Sequence, residues 1–222
     1  MNKSSRVFPD DDDKVFEWVV WSIIGRLTAS LLHEINNPMQ SIRGAAALGL
    51  EELEDPESLQ AYFQVILNES ERVSDAIARA RRIYRPERQT LERLDMNHLL
   101  QEAVLLLQKL LDQHRVQVQT DYAPELPLLT AVFSHISLVI LYPLLDLITS
   151  VNATMGGELF LQTKADAGGI AVRLQIKAAE FCLTPPLLLP YADLAARYNI
   201  RLNEQSVATG HVIHFLFSTP SK

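Results

Sequence analysis

The sequence predicts an α+β chain in two parts: a long helical hairpin, then a layer of strands covered by helices on one face. Three observations carry that expectation. Apolar residues recur at steps of three and four from residue 15 to about residue 85. Beyond about residue 94, helical stretches alternate with segments of period two. Between them lies YRPERQTLER (residues 84–93), a charged stretch whose Pro86 breaks both patterns.

In the first part, Leu27, Leu31, Ile35, Pro38, Ile42, Ala45 and Gly49 follow one another at helical steps. At about 100° per residue they share one stripe. The segment EDPES (residues 54–58) ends this helix and sets Pro56 at the start of the next. A second stripe runs from Glu57 to about Arg85 through Leu59, Phe63, Ile66, Ser70, Val73, Ile77, Ala80 and Tyr84. Two amphipathic helices joined by a short turn form a helical hairpin. A lone hairpin leaves parts of both stripes bare, with Phe63, Ile66 and Ile77 exposed. The expected unit is therefore a homodimer whose two hairpins make a four-helix bundle. The first domain is set at residues 15–86 and the second at 94–219.

In the second part, Met96 to about Gln113 reads as a helix and RVQVQTDYA as a strand. PELP turns the chain, and Val132 to about Ala153 reads as another helix. GELFLQTKA and GIAVRLQIKA alternate as two strands. LTPPLLLP reads as a loop and Tyr191–Asn199 as a short helix. The closing segment reads as a hairpin turning near Thr209 and Gly210.

Composition narrows the function. The chain has 222 residues, 48% hydrophobic, enough for a core, and a formal charge of -7. With that charge and no long basic run, a nucleic-acid partner, which would need a cationic face, is not expected. One cysteine, Cys182, excludes an internal disulfide and a cysteine-based zinc site. With no leader peptide visible, a reducing, cytoplasmic compartment is expected. The apolar run VFEWVVWSII falls short of the roughly 20 residues of a membrane span, and Glu17 interrupts it.

The stretch LLHEINNPMQSI (residues 31–42) carries the chemistry. With Leu27 at zero, the first stripe centres near ~40° and His33 falls near ~240°. His33 therefore points away from the core, with Arg26, Asn37, Gln40 and Gly44 on the same side. Pro38 sits in mid-helix, where a proline costs about 3 kcal/mol or more and leaves the Glu34 carbonyl without its donor. A neutral imidazole is a nucleophile near neutral pH. The neighbouring Glu34 carboxylate can take its proton, and Asn37, one turn on, can orient a water or an incoming phosphoryl group. Metal binding is a poor alternative. HEINN lacks the second histidine of H-E-x-x-H, and one imidazole beside one carboxylate makes a weak zinc site.

LTASLLHEINNPMQSIRGAA resembles the H-box of two-component sensor histidine kinases, within their HisKA-type dimerisation and phosphotransfer domain. The resemblance covers about Ile24 to Tyr84. It implies that His33 is the phospho-acceptor, that Glu34 is the general base, and that Asn37 assists dephosphorylation of the partner. It also implies a homodimeric bundle and a response-regulator receiver domain as partner, docking on Arg26, Ala29, Gln40 and Gly44. The order of elements from Arg93 to Ser218 is similar to the family's GHKL-type ATPase domain, an α/β sandwich.

The family's nucleotide motifs are missing. The family's N-box asparagines fall on Asp146 and Ser150 in LLDLITSVNATMGG. KAAEFCL stands where the family has D-x-G-x-G, and LTPPLLLP stands at the ATP lid. None of the eight glycines forms a G-x-G, the spacing that lets backbone wrap phosphates. The family would use ATP and Mg2+; here no cofactor is expected.

The reading is a cytoplasmic, dimeric, histidine-kinase-like phosphotransfer protein, phosphorylated on His33, with its own ATP binding lost. One alternative is a non-catalytic dimeric scaffold or inhibitor of a partner histidine kinase or response regulator. Another is an active sensor kinase with a divergent ATP site.

Overall fold

The computed structural model describes residues 10–84, 90–166, 168–182, 195–196, 198–207 and 209–218. The first part is the expected hairpin. Helix α1 spans Asp10–Glu51 and α2 spans Pro56–Tyr84. The turn between them is capped by Asp55, whose carboxylate accepts from the Glu57 N–H at 3.1 Å and the Ser58 hydroxyl at 2.7 Å. The Ser58 hydroxyl is the main cause that holds the Asp55 carboxyl below its usual range. Pro56 follows at the first helical position, where its missing N–H costs nothing. Tyr62 donates to Glu52 at 2.9 Å and ties the second helix back to the end of the first.

The stripe of α1 behaves as its spacing requires. Leu27, Pro38, Ala45 and Gly49 are buried, and Leu31, Ile35 and Ile42 are half-buried. The helix runs on without a break through Pro38. The stripe of α2 is tilted: Ala76 and Ala80 are buried, Leu59, Ile66 and Val73 half-buried, Phe63 and Ile77 exposed. Ile66 is thus half covered within one chain rather than exposed, because it lies nearer the edge facing α1. A second stripe on α1 has no cover within the chain. Trp21, Leu32, Met39 and Leu50 are exposed and recur at steps of seven and eleven, which return to one side of a helix.

The second part holds β1 (Leu91–Leu94), α3 (Met96–Gln113), β2 (Val116–Asp121), β3 (Leu129–Val132), α4 (Phe133–Thr149), β4 (Gly157–Asp166), β5 (Gly169–Ala178), β6 (Ile200–Val207) and β7 (Gly210–Ser218). Five strands form one sheet in the order β2-β4-β5-β7-β6. Only the β2–β4 pair is parallel. β1 and β3 form a separate antiparallel pair. The stretch expected as linker therefore ends inside a strand, and a further strand, β3, occupies the residues between the PELP turn and the expected helix, so α4 begins at Phe133. α4 also stops at Thr149, short of Ala153. The loop LTPPLLLP lies outside the described residues, as does most of the expected helix Tyr191–Asn199.

α3 is capped by Asp95, which accepts from the Asn97 and His98 N–H groups at 2.8 and 3.3 Å. α4 is largely apolar, and its residues from Phe133 to Leu145 are all buried. A helix of that kind needs cover all round. The sheet supplies it through Val172, Leu174, Ile176 and Phe215, and α3 through Leu99 and Leu107, all in one continuous core. Ile23 and Leu27 of α1 belong to the same core. No helix among the described residues is long and apolar enough to cross a membrane.

Candidate functional site: the His33 ridge and the end of helix α4

His33 is exposed on α1, and Asn37, Gln40 and Gly44 are exposed with it. Steps of four, three and four keep all of them on the side away from Leu27 and Ala45. A Cβ added at Gly44 would meet nothing within 4 Å, so this part of the ridge is flat and open. Glu34 is half-buried beside His33, and Pro38 is buried on the opposite face. The side chain of Ala29 lies outside the described residues. The exposed imidazole, the adjacent carboxylate and the amide one turn on can support attack of a ring nitrogen on a phosphorus atom, with the carboxylate taking the proton.

Arg26 departs from this arrangement. Periodicity sets it on the same open ridge, but the structure turns its guanidinium onto α4. One nitrogen reaches Asp146 Oδ1 at 2.5 Å and the other donates to Thr149 Oγ1 at 2.8 Å. Arg26, expected at the partner surface, and Asp146, expected at the nucleotide site, are ion-paired to each other. Nothing in the sequence could signal a pairing across 120 positions.

Asp146 is therefore engaged by a cation from the hairpin. Ser150, its companion in the reading, turns back and donates to the Leu147 carbonyl at 2.6 Å. Next to it a groove of about 530 Å³ opens, lined by Thr149, Ser150, Asn152, Glu180, Phe181 and Cys182 among others. Its floor is stitched across. The Cys182 N–H donates to the Ser150 carbonyl at 2.8 Å and the Asn152 N–H to the Glu180 carbonyl at 3.2 Å. The Asn152 side chain also donates to Glu180 Oε2 at 2.9 Å. Among the described residues of the lining, Glu180 is the one charged side chain, and it is acidic. These donors and acceptors are spent on one another, and the charge has the wrong sign for phosphate.

Among the described residues, no group of three or more His, Cys, Asp or Glu stands close enough to hold a metal. Two of the other histidines serve the fold. His114 caps α3, its Nδ1 2.9 Å from the Val151 carbonyl. His135 is buried against Tyr198.

Residues 23–89 match the family model of the His Kinase A (phospho-acceptor) domain, which contains the whole ridge. The chain is 27% identical over 140 residues to the signal transduction histidine-protein kinase AtoS of Escherichia coli K12, a match covering 63% of this chain and 22% of that protein. It is 36% identical over 101 residues to the sensory histidine kinase/phosphatase NtrB of Vibrio alginolyticus, covering 46% of this chain and 28% of that one. The chain thus spans well under half the length of these relatives. In fold, it is similar to the histidine kinase AdeS of Acinetobacter baumannii, with a TM-score of 0.51 at 13% identity over 85% of this chain and 98% of that one. The catalytic domain of the histidine kinase ThkA gives a TM-score of 0.51 at 14% identity over 59% of this chain and 99% of that one. Residues 23–89 thus match the His Kinase A (phospho-acceptor) domain, and the chain shares its fold with the histidine kinase AdeS and its sheet part with the catalytic domain of ThkA.

Proposed function

We propose that this protein is a dimeric phosphotransfer protein that carries a phosphoryl group on His33 and exchanges it with an aspartate on a response-regulator receiver domain. In the step toward this chain, a neutral ring nitrogen of His33 attacks the phosphorus of the partner's aspartyl phosphate. The bond from phosphorus to the carboxylate oxygen breaks, the aspartate leaves as a carboxylate, and the proton on the other ring nitrogen of His33 passes to Glu34. The reverse step returns the group. Asn37 positions the water that removes phosphate from the receiver. The observation that carries this reading is the exposure of His33 and Asn37 on one open face of α1, inside the matched phospho-acceptor domain. Glu34, Asn37, Gln40 and Gly44 complete the contact surface.

ATP binding is lost or very weak in this reading. Its support is the Glu180 anion, the backbone stitching between residues 150–152 and 180–182, and the capture of Asp146 by Arg26. The same features favour a second reading, in which the chain is a dimeric scaffold that holds or inhibits a partner kinase or regulator. Labelling separates the two. A receiver carrying radioactive aspartyl phosphate should pass label to the wild type and none to His33→Ala. A scaffold would bind the receiver and take no label.

A further inference from the structure

The fork from Arg26 onto Asp146 and Thr149 joins the two halves of the molecule at one defined place. We infer that it is a latch: it seats the sheet domain at the N-terminal end of the His33 ridge and sets the angle between that domain and the hairpin. Two N–H donors of one planar guanidinium meet two acceptors three residues apart on α4. Such a fork fixes direction as well as distance.

The latch has an apolar footing. Ile23 and Leu27 flank Arg26 on α1, are 0% and 1% exposed, and belong to the core that contains Tyr142 and Leu145 of α4. Tyr142 lies close to both charges. Its hydroxyl pKa is raised first by burial and then by Asp146, with Arg26 acting against them. The pair itself is not sealed, for the Arg26 and Asp146 side chains keep 30% and 22% of their exposure. Water can compete for it, so the contact can open without unfolding either half.

The position of the latch bears on the ridge. Arg26 lies seven residues before His33 on nearly the same side, about 10 Å along the helix axis. With the latch closed, α4 borders the ridge before His33, while Asn37, Gln40 and Gly44 stay open beyond it. The inference stands whether or not His33 carries phosphate.

Spin-label distances on the full-length chain test it. One label goes on Glu71→Cys in α2 and one on Lys164→Cys in β4, with Cys182→Ser as background. Excess unlabelled chain dilutes the sample, so only the distance within a protomer is read. The otherwise wild-type chain should give one narrow distance distribution. Arg26→Ala and Asp146→Ala should each broaden it at least twofold, and the charge-reversed double variant Arg26→Asp/Asp146→Arg should narrow it again. An unchanged distribution in both single variants overturns the latch. So does broadening that the double variant fails to reverse, since that would place the cause in packing rather than in the ion pair.

Discussion

Ala76 and Ile77 are adjacent on α2 and opposite in environment: Ala76 is 1% exposed and Ile77 is 42% exposed. The helix has one face that the chain itself covers and a second apolar edge, with Phe63, Leu67 and Ile77, that it does not. Trp21, Leu32, Met39 and Leu50 make a matching edge on α1. Apolar edges of this length call for cover.

A second copy is the expected cover. Ile77→Asp should give monomers that keep their helix content, since burial of one such side chain contributes about 1.5–3 kcal/mol. Ala76→Asp should unfold the hairpin itself, because its charge would be buried without a partner. Light scattering and circular dichroism distinguish the two. A monomeric wild type at micromolar concentration contradicts the dimer.

Much of this hairpin was legible in the sequence because its information is local. Leu27 to Gly49 is a repeat within one helix, and EDPES carries its own cap and proline. The exposure of His33 followed from its phase against that repeat. What escaped depends on partners distant in sequence. β1 and β3 are four-residue strands, and only their pairing with each other, Leu91 opposite Val132, makes them strands. The rotation of Arg26 off the ridge required knowing where α4 lies. The tilt that half-covers Ile66 and bares Phe63 is a matter of a few tens of degrees, finer than a three-four count resolves.

Nucleotide binding should be absent in calorimetry with ATP and magnesium. In the proposed reading the obstacles are Glu180 and the hydrogen bonds between residues 150–152 and 180–182 that line the groove. Heat fitting a micromolar dissociation constant would restore the reading of an active kinase.

Gly210 should not tolerate a side chain. A Cβ there would lie 1.9 Å from the Ile176 carbonyl oxygen, backbone that β5 cannot move without breaking its ladder to β7. Gly210→Ala should destabilise the sheet domain by about 2–4 kcal/mol, measured by urea unfolding. Gly168→Ala is the control, since a Cβ there meets nothing within 4 Å.

Alkaline stability should depend on Tyr122. Burial pushes its hydroxyl pKa up to about 12, and among the described residues that oxygen has no hydrogen-bond partner. The unfolded chain releases this proton near pH 10 and the folded one near 12. The stability this tyrosine contributes is fully present below the unfolded value and is lost as pH rises from there through the folded value. Tyr122→Phe should flatten the fall of the unfolding midpoint in that window, and at pH 7 it should be as stable as wild type or more so. A slope unchanged by the substitution would assign the alkaline loss to other groups.

The central claim is that His33 carries phosphate, and it is read most directly as acid-labile, base-stable label on the chain after incubation with a phosphorylated receiver. The wild type should take label. His33→Ala should take none while remaining dimeric, because the residue lies off the packed stripe. Glu34→Ala should take it about 10²–10⁴ times more slowly, the usual cost of losing a general base. Asn37→Ala should take label normally and fail to speed loss of phosphate from the receiver. Label that persists on His33→Ala, or a wild type that takes none from any receiver it binds, would contradict the account.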